Sequence, residues 1–213
     1  MSPDNAQHAR RTSPDDSAVG EIEDAYLRRA VAEMGALNDE IASVGRDPDG
    51  MLPVMGSGSP RAEIAMVKWS ATPAERQEGV AFFGRSGSAV LKSVQRLDID
   101  PLRLFGTLVV KHAPGDRSPS QRDLTWLRRE LQIVDPRIIV AMGSPVATAL
   151  AGLEVPMAEP VADTHGIVQR WTPSTEVLVV PDIDASLDEQ AAKRAFWAAF
   201  RNLGDWYGEQ PPY

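Results

Sequence analysis

The chain has 213 residues, a formal net charge of −8 at pH 7 and no cysteine. This length suits one α/β domain, and the lack of cysteine excludes disulfides, thiolate nucleophiles and metal clusters held by thiolates. The acidic balance argues against nonspecific nucleic-acid binding over the whole surface, although residues 85–130 are net basic.

The first part of the sequence predicts a tail followed by a helix. Residues 1–20 are rich in Ser, Pro, Asp and Arg, which predicts a disordered tail, and residues 21–213 are expected to form one domain. Apolar residues recur at three- and four-residue steps over 24–44, typical of an amphipathic helix. No apolar run approaches the roughly 20 residues that span a bilayer. With no signal-peptide pattern either, we expect a cytoplasmic protein without membrane contact.

Strand-like and helix-like segments alternate through the rest of the chain. Buried strands are predicted at residues 64–69, 104–110, 137–142 and 177–180, with a further strand around Ile167. Helices are predicted at residues 88–97, 121–133, 145–152 and 187–207, the second capped by Ser120. This alternation predicts a three-layer α/β/α sandwich with a short, mostly parallel four-stranded sheet.

Parallel sheets bind ligands in the loops beyond the carboxyl ends of their strands. The loop after the first predicted strand contains the pattern G-x-x-F-x-G-R-S-G, from Gly79 to Gly87. Alone, its glycines suit ordinary turns and Phe82 suits a core. The second strand is followed by Lys111, Pro114, Arg117 and Pro119, and the third reads P-R-I-I-V-A-M-G over residues 136–143.

Taken together, these segments resemble the uracil-DNA glycosylase superfamily, in particular its bacterial and archaeal branch that normally holds a four-iron cluster. The resemblance covers about residues 37–207 and assigns roles to individual positions. It places the base pocket at Phe82, Trp69, Leu108 and Ser70. It places contacts to the DNA backbone at Gly84, Arg85, Ser86, Gly87, Lys111, Arg117 and Ser186.

The positions that carry the chemistry depart from the family pattern. A glycine-rich segment that approaches the flipped base is replaced by Lys68 to Thr72, where a lysine and an indole fit poorly. The asparagine that reads the uracil edge falls on Leu108, which cannot hydrogen-bond to a pyrimidine. The histidine that stabilises the departing uracil anion falls on Asp184, whose carboxylate repels a developing anion. One cluster cysteine falls on His112, and no cofactor is expected.

Other polar residues of the predicted loops are candidates for the missing chemistry. A carboxylate of Asp184 or Glu75, or the imidazole of His112, would be able to activate a water. The alternative is that these are exposed loop charges, with His112 packed where the cluster lies in relatives. The histidines show no metal-ligand spacing.

Three hypotheses follow. In the first, the protein is a divergent superfamily member with a DNA-binding or DNA-repair role, weak binding to single-stranded DNA and uracil excision weak or lost. In the second, it is an active DNA glycosylase that hydrolyses N-glycosidic bonds with a rearranged site. In the third, it is a non-catalytic module on the glycosylase fold, with the pocket plugged by Trp69 and a surface that serves a protein partner.

Overall fold

A computed structural model describes residues 14–47, 49–112 and 118–210, with the backbone alone for residues 14–19. Helices cover both faces of one six-stranded sheet. The helices are α1 (Pro14–Ala42), α2 (Pro73–Glu78), α3 (Arg85–Arg96), α4 (Gln121–Val134), α5 (Ser144–Ala151), α6 (Gln190–Phe200) and α7 (Asn202–Gly208), with a short 3₁₀ helix at Pro101–Arg103. The strands are β1 (Ser57–Gly58), β2 (Ile64–Ser70), β3 (Leu104–Val110), β4 (Ile138–Met142), β5 (Val168–Arg170) and β6 (Glu176–Val180).

The sheet has the strand order β1-β3-β2-β4-β6-β5. The four inner strands are parallel, and Ile64 of β2 lies opposite Leu104 of β3 and Ile138 of β4. The edge strands β1 and β5 are antiparallel to their neighbours. The predicted α/β/α fold with a mostly parallel sheet is confirmed, and the two short edge strands raise the strand number from four to six.

Side chains of β2 alternate between two cores, because successive residues of a strand point to opposite faces. Ile64 and Met66 pack in the core beneath α3, α6 and α7. Ala65 and Val67 pack in the core beneath α4 and α5. Helix α1 packs beside α4 through Met34, Leu37 and Ile41. Because these strands are buried on both faces, they read as continuous apolar runs in the sequence.

Three elements differ from the predicted boundaries. Helix α1 begins at Pro14 rather than near residue 24, and residues 1–13 of the predicted tail lie outside the described residues. Helix α2 lies inside the segment predicted as a long loop; Thr72 caps it and accepts from the Glu75 backbone N–H. The closing helix is divided at Arg201 into α6 and α7. Within the described residues, no helix is long and apolar enough to cross a membrane.

Candidate functional site

A buried lysine at the end of β2 lies between two carboxylates. Lys68 Nζ donates to Glu75 Oε2 at 2.7 Å and to Asp184 Oδ2 at 2.6 Å. The side chains of Lys68 and Glu75 are 1% and 0% exposed, and that of Asp184 is 29% exposed. We call these three residues the Lys68 cluster. It joins β2, α2 and the turn after β6 at the carboxyl edge of the sheet, where parallel sheets bind ligands.

Glu75 connects the Lys68 cluster to Phe82. Its Oε1 accepts the Phe82 backbone N–H at 2.5 Å, and its Oε2 accepts the backbone N–H and hydroxyl of Thr72 at 2.7 and 2.8 Å. Phe82 has a φ of 60°, in the left-handed region that residues with a Cβ rarely adopt. A carboxylate occupied by these donors and by Lys68 is suited to hold the loop rather than to activate a water.

The Phe82 ring lies beside the Lys68 ammonium. Nζ is 5.6 Å from the ring centroid, within the range of a cation–π interaction. The loop sits close to two glycines: a Cβ on Gly106 would come within 2.5 Å of the ring, and one on Gly87 within 1.8 Å of the Phe82 carbonyl oxygen. The ring that the resemblance assigns to the base pocket therefore already has a cation of the same chain beside it.

Trp69 lies on the opposite face of the sheet from Lys68. The alternation along β2 places Lys68 on the same side as Met66 and Trp69 on the same side as Val67. The indole packs against the core beneath α4 and α5. The residue beside Phe82 is therefore Lys68, whereas the sequence predicts that Trp69 fills this space.

The other two predicted base-pocket residues lie on neighbouring strands. Leu108 is fully buried and packs with Val54 and Ala81 next to Phe82. Its aliphatic side chain fills space there and offers no hydrogen bond. Ser70 is the last residue of β2 and is half-buried.

An exposed ion pair lies close to the Lys68 cluster. Arg85, the first residue of α3, contacts Asp188 at 2.5 Å, and both side chains are 71% exposed. The hydrogen bond from the Arg85 guanidinium holds the pKa of the Asp188 carboxyl below its usual value. The hydrogen bond to Asp188 raises the pKa of Arg85, and the charge of Asp184 adds a smaller contribution in the same direction. Of the predicted DNA-backbone side chains, Arg85 is thus at the surface, with Asp188 opposing its charge.

Two serines predicted to contact DNA are buried. Ser186 is 3% exposed, and its hydroxyl donates to the carbonyl oxygen of Asp182 at 2.5 Å. The Asp182 carboxylate in turn accepts the backbone N–H of Asp184 at 2.8 Å, so these bonds shape the turn that carries Asp184. Ser86 is 2% exposed, and its hydroxyl has no hydrogen-bond partner among the described residues.

Lys111, also predicted to contact DNA, lies in the core between β3 and α4. Its Nζ contacts Glu130 Oε2 at 2.8 Å, and both side chains are 0% exposed. Thr107 joins this pair: its Oγ1 accepts from Lys111 Nζ and donates to Glu130 Oε2, both at 2.6 Å. The ammonium faces α4 rather than solvent. Arg117, the remaining arginine of that prediction, lies outside the described residues.

His112 contacts the segment that follows α1. Its Nε2 donates to the carbonyl oxygen of Gly45 at 3.0 Å, since a carbonyl can only accept. A four-iron cluster held by cysteine does not fit this chain, which has no cysteine. Among the described residues, no group of three or more potential ligands is placed to hold a metal ion.

The segment after α1 is also held by an ion pair between Asp47 and Arg76. Burial raises the pKa of the Asp47 carboxyl. The hydrogen bond from the Met51 backbone N–H and the Arg76 guanidinium outweigh this effect, so the pKa lies below its usual value. This segment is therefore tied to α2 through Arg76 and to the end of β3 through His112.

Asp47→Asn is expected to lower the free energy of unfolding at pH 7 by about 1–3 kcal/mol, the cost of breaking a buried charged hydrogen bond. A lowered folded-state pKa gives stability that is present above the unfolded pKa of about 4 and is lost as the pH falls further. The difference between wild type and variant should therefore shrink below about pH 4. Urea unfolding at pH 7 and pH 3 measures it.

The matched control is Asp49→Asn. Asp49 contacts the same arginine at 3.1 Å but is 64% exposed, so its loss should cost little. An Asp47→Asn penalty of the same size at both pH values would contradict the proposed origin of this stability.

The comparisons with known proteins identify the family. The model of the uracil DNA glycosylase superfamily matches residues 55–201, more than half of the chain. The chain belongs to this superfamily. It is also 30% identical over 118 residues to the type-4 uracil-DNA glycosylase of Pyrobaculum aerophilum. That match covers 53% of this chain and 60% of the relative, so the chain spans less than two thirds of the relative's length.

The matched segment of this superfamily member contains the whole Lys68 cluster, Phe82 and Arg85. Family resemblance indicates where to look, but the chemistry belongs to the side chains present. Here the structure brings together two of the three candidate catalytic residues, Glu75 and Asp184, through Lys68. The third, His112, contacts Gly45 instead. Lys68 was not among the predicted catalytic, base-pocket or DNA-contacting residues, although the resemblance placed it in the segment that approaches the flipped base.

Proposed function

We propose that the protein is a DNA-binding, DNA-repair-related member of the uracil-DNA glycosylase superfamily in which uracil excision is weak or lost. The main supporting observation is the position of Lys68. Its ammonium lies 5.6 Å from the Phe82 ring centroid and contacts two carboxylates at 2.7 and 2.6 Å. An enzyme that acts on an extruded base needs space for that base beside an aromatic ring and polar groups that read its edge. Here the chain's own cation takes that space.

The groups around this position favour the same conclusion. The fully buried Leu108 cannot discriminate uracil by hydrogen bonding. The Asp184 carboxylate would repel a developing uracil anion, except to the extent that Lys68 neutralises it. Recognition and leaving-group stabilisation are thus both weakened, while the framework of the fold is kept.

DNA binding is assigned to the surface at the start of α3. Arg85 is exposed there, preceded by Gly84 and followed by Gly87 in the same loop and first turn. Asp188 offsets its charge, which favours weak binding. We propose that single-stranded DNA is preferred, because no base pair then has to be broken to admit a nucleotide. Because Lys111 and Ser186 are buried, we assign them positioning roles rather than phosphate contacts. A cytoplasmic location remains part of this proposal.

A second candidate, an active glycosylase with a rearranged site, is favoured by one observation. Oδ1 of Asp184 has no hydrogen-bond partner among the described residues, and Oδ2 is bound to a cation that would stabilise an anionic leaving base. Release of free base from DNA would select this candidate. The third hypothesis, a protein-interaction module, predicts no DNA binding that weakens with salt.

Arg85→Ala and Asp188→Ala are expected to change DNA affinity in opposite directions. Losing Arg85 should weaken binding to a fluorescent single-stranded oligonucleotide and reduce the log–log salt slope by about 1, because one phosphate contact is removed. Losing Asp188 should tighten binding, because the arginine is no longer neutralised. Anisotropy titrations at several salt concentrations measure both effects.

The matched control is Arg28→Ala. It removes an exposed arginine from α1, which is not one of the elements that carry the Lys68 cluster. It should leave affinity and salt slope nearly unchanged. Absence of binding at low salt would overturn the DNA-binding proposal and favour the interaction module. Equal effects of Arg85→Ala and Arg28→Ala would indicate that the DNA-binding surface does not lie at the start of α3.

A further inference from the structure

Helices α3 and α6 carry an excess of positive charge in an acidic chain. Residues 85–96 have three cations and no carboxylate, and residues 188–201 have three cations and two carboxylates, so these segments together have a net charge of +4. All six cations are exposed. Only Arg85 forms an ion pair among the described residues, with Asp188. The other five, which are Lys92, Arg96, Lys193, Arg194 and Arg201, are therefore available to an anionic partner.

The two helices lie side by side on the same face of the sheet. Both contribute buried side chains to one core. The Arg85–Asp188 pair joins the start of α3 to the turn before α6. Near the other end of α3, the guanidinium carbon of Arg96 lies 5.8 Å from the ring centroid of Trp197 on α6. We call the channel between these helices the α3–α6 groove.

Helical spacing places cations along this groove. Arg85, Lys92 and Arg96 share one side of α3, and Lys193 lies one turn before Trp197 on α6. Because α3 connects the parallel strands β2 and β3, it runs from the carboxyl edge of the sheet towards the amino edge. Its 12 residues give a length of about 18 Å. The α3–α6 groove therefore begins at Arg85 and leads away from the Lys68 cluster.

We propose that single-stranded DNA bound at the start of α3 continues along the α3–α6 groove, with its phosphates contacting Lys92, Arg96 and Arg194. The inference rests on the proposed DNA-binding function and extends its surface beyond Arg85. At 3.4 Å per stacked nucleotide, the length of α3 matches about five nucleotides. The cation–π contact with Trp197 orients Arg96 but uses none of its N–H donors, which remain available to phosphate.

The far end of the α3–α6 groove is electrically balanced. Arg96 and Arg201 line a cavity there together with Asp98 and Asp205. The two carboxylates would repel a further phosphate, so we expect the bound strand to leave the protein near Arg96.

The side chains of the α3–α6 groove favour a polyanion over a protein partner. Protein interfaces are centred on apolar or aromatic anchors. Among the described residues of α6, no large apolar side chain is exposed, and the exposed Leu91 of α3 lies on a different side of the helix from Arg96. The competing occupant is the acidic segment 14–24 of a second copy, which has five carboxylates and no cation.

Two matched arginine pairs test the proposal. Arg96→Ala with Arg194→Ala changes the groove, and Arg28→Ala with Arg61→Ala is the control; each removes one arginine over an aromatic ring and one other exposed arginine. In anisotropy titrations with a fluorescent thymidine oligonucleotide of about 15 nucleotides, the groove pair should weaken binding about tenfold at low salt. It should also reduce the log–log salt slope by about 2, one for each lost phosphate contact. The control pair should leave both quantities nearly unchanged.

Arg194→Ala alone provides a second variant if the groove pair does not fold. Arg194 makes no ion pair or ring contact among the described residues, so its removal should leave the fold intact. The salt slope should then fall by about 1.

A salt slope that is the same for the groove pair and the control pair would overturn this inference and leave DNA binding at Arg85 intact. No binding by the wild type at low salt would overturn both proposals. Light scattering gives the remaining outcome. Self-association of the wild type that the groove pair abolishes would assign the α3–α6 groove to the acidic segment of a second copy and overturn the inference.

Discussion

Uracil release from single-stranded DNA is expected to be at least about 10³-fold slower than by the type-4 uracil-DNA glycosylase of Pyrobaculum aerophilum measured under single-turnover conditions. The estimate combines two losses. Removing one group that stabilises a developing anion typically costs about 10²–10³ in rate. The loss of polar groups that read the base adds a further penalty, because Leu108 offers no hydrogen bond.

Opening the space beside Phe82 should not restore excision. Lys68→Gly removes the cation from the ring, but Leu108 and Asp184 remain, so uracil would enter a pocket that neither reads its edge nor stabilises its anion. We therefore expect Lys68→Gly to remain as slow as the wild type. Quantifying free uracil by mass spectrometry measures this, with circular dichroism to verify folding.

A rate of uracil release by the wild type within about tenfold of that of the Pyrobaculum aerophilum enzyme would contradict the proposed function. It would support an active glycosylase in which Lys68 stabilises the leaving base. In that case Lys68→Gly should abolish release, so the same variant distinguishes the two mechanisms.

The order of the elements could be predicted from the sequence because the inner strands are buried on both faces. Residues 138–142 read as a continuous apolar run, and residues 104–110 are interrupted only by Gly106 and Thr107; the structure has β4 and β3 there. Of the two edge strands, β5 lies where a strand was predicted around Ile167, whereas β1 lies in a segment predicted as a loop. Strands β1 and β5 have two and three residues, and their hydrogen bonds depend on neighbours distant in the sequence.

Helix α2 did leave a signal in the sequence. Thr72 and Glu75 form a capping box with Pro73 at the first position, a pattern that marks a helix start. The segment, which contains Pro73, Glu75 and Gly79, was nevertheless predicted as a loop. Recognising the box would have predicted the helix and the hydrogen bond between the Glu75 carboxylate and the Thr72 backbone N–H, but not the burial of Glu75 against Lys68.

Only part of the role of Lys68 could be predicted from the sequence. The alternation of side chains along β2 places Lys68 on the same face as Ile64 and Met66 and on the opposite face from Trp69. This alternation alone would have predicted that Lys68, rather than Trp69, lies beside Phe82. The pairing with Asp184 was not accessible, since 116 residues separate the partners and the contact depends on the turn after β6.

Lys111 offers the second large test, because the resemblance places it at the DNA whereas the structure buries it against Glu130. Lys111→Met should lower the free energy of unfolding by about 3–5 kcal/mol, because it leaves a buried carboxylate without its cation. Oε1 of Glu130 already lacks a hydrogen-bond partner among the described residues, so little is available there to compensate. Urea unfolding measures the loss.

The double variant Lys111→Met with Glu130→Leu should be more stable than Lys111→Met alone, because replacing a whole buried ion pair by apolar side chains is often nearly neutral. Thr107 then loses both polar partners, so part of the loss should persist. If the single variant is too unstable to purify, recovery of folded protein in the double variant gives the same answer.

DNA binding by the double variant separates the two roles of Lys111. If the lysine belongs to the core, affinity for single-stranded DNA and its salt dependence should match the wild type. If it contacts phosphate, the log–log salt slope should fall by about 1, as for Arg85→Ala. A stable Lys111→Met variant with a reduced slope would place Lys111 at the DNA and show that the ion pair with Glu130 opens on binding.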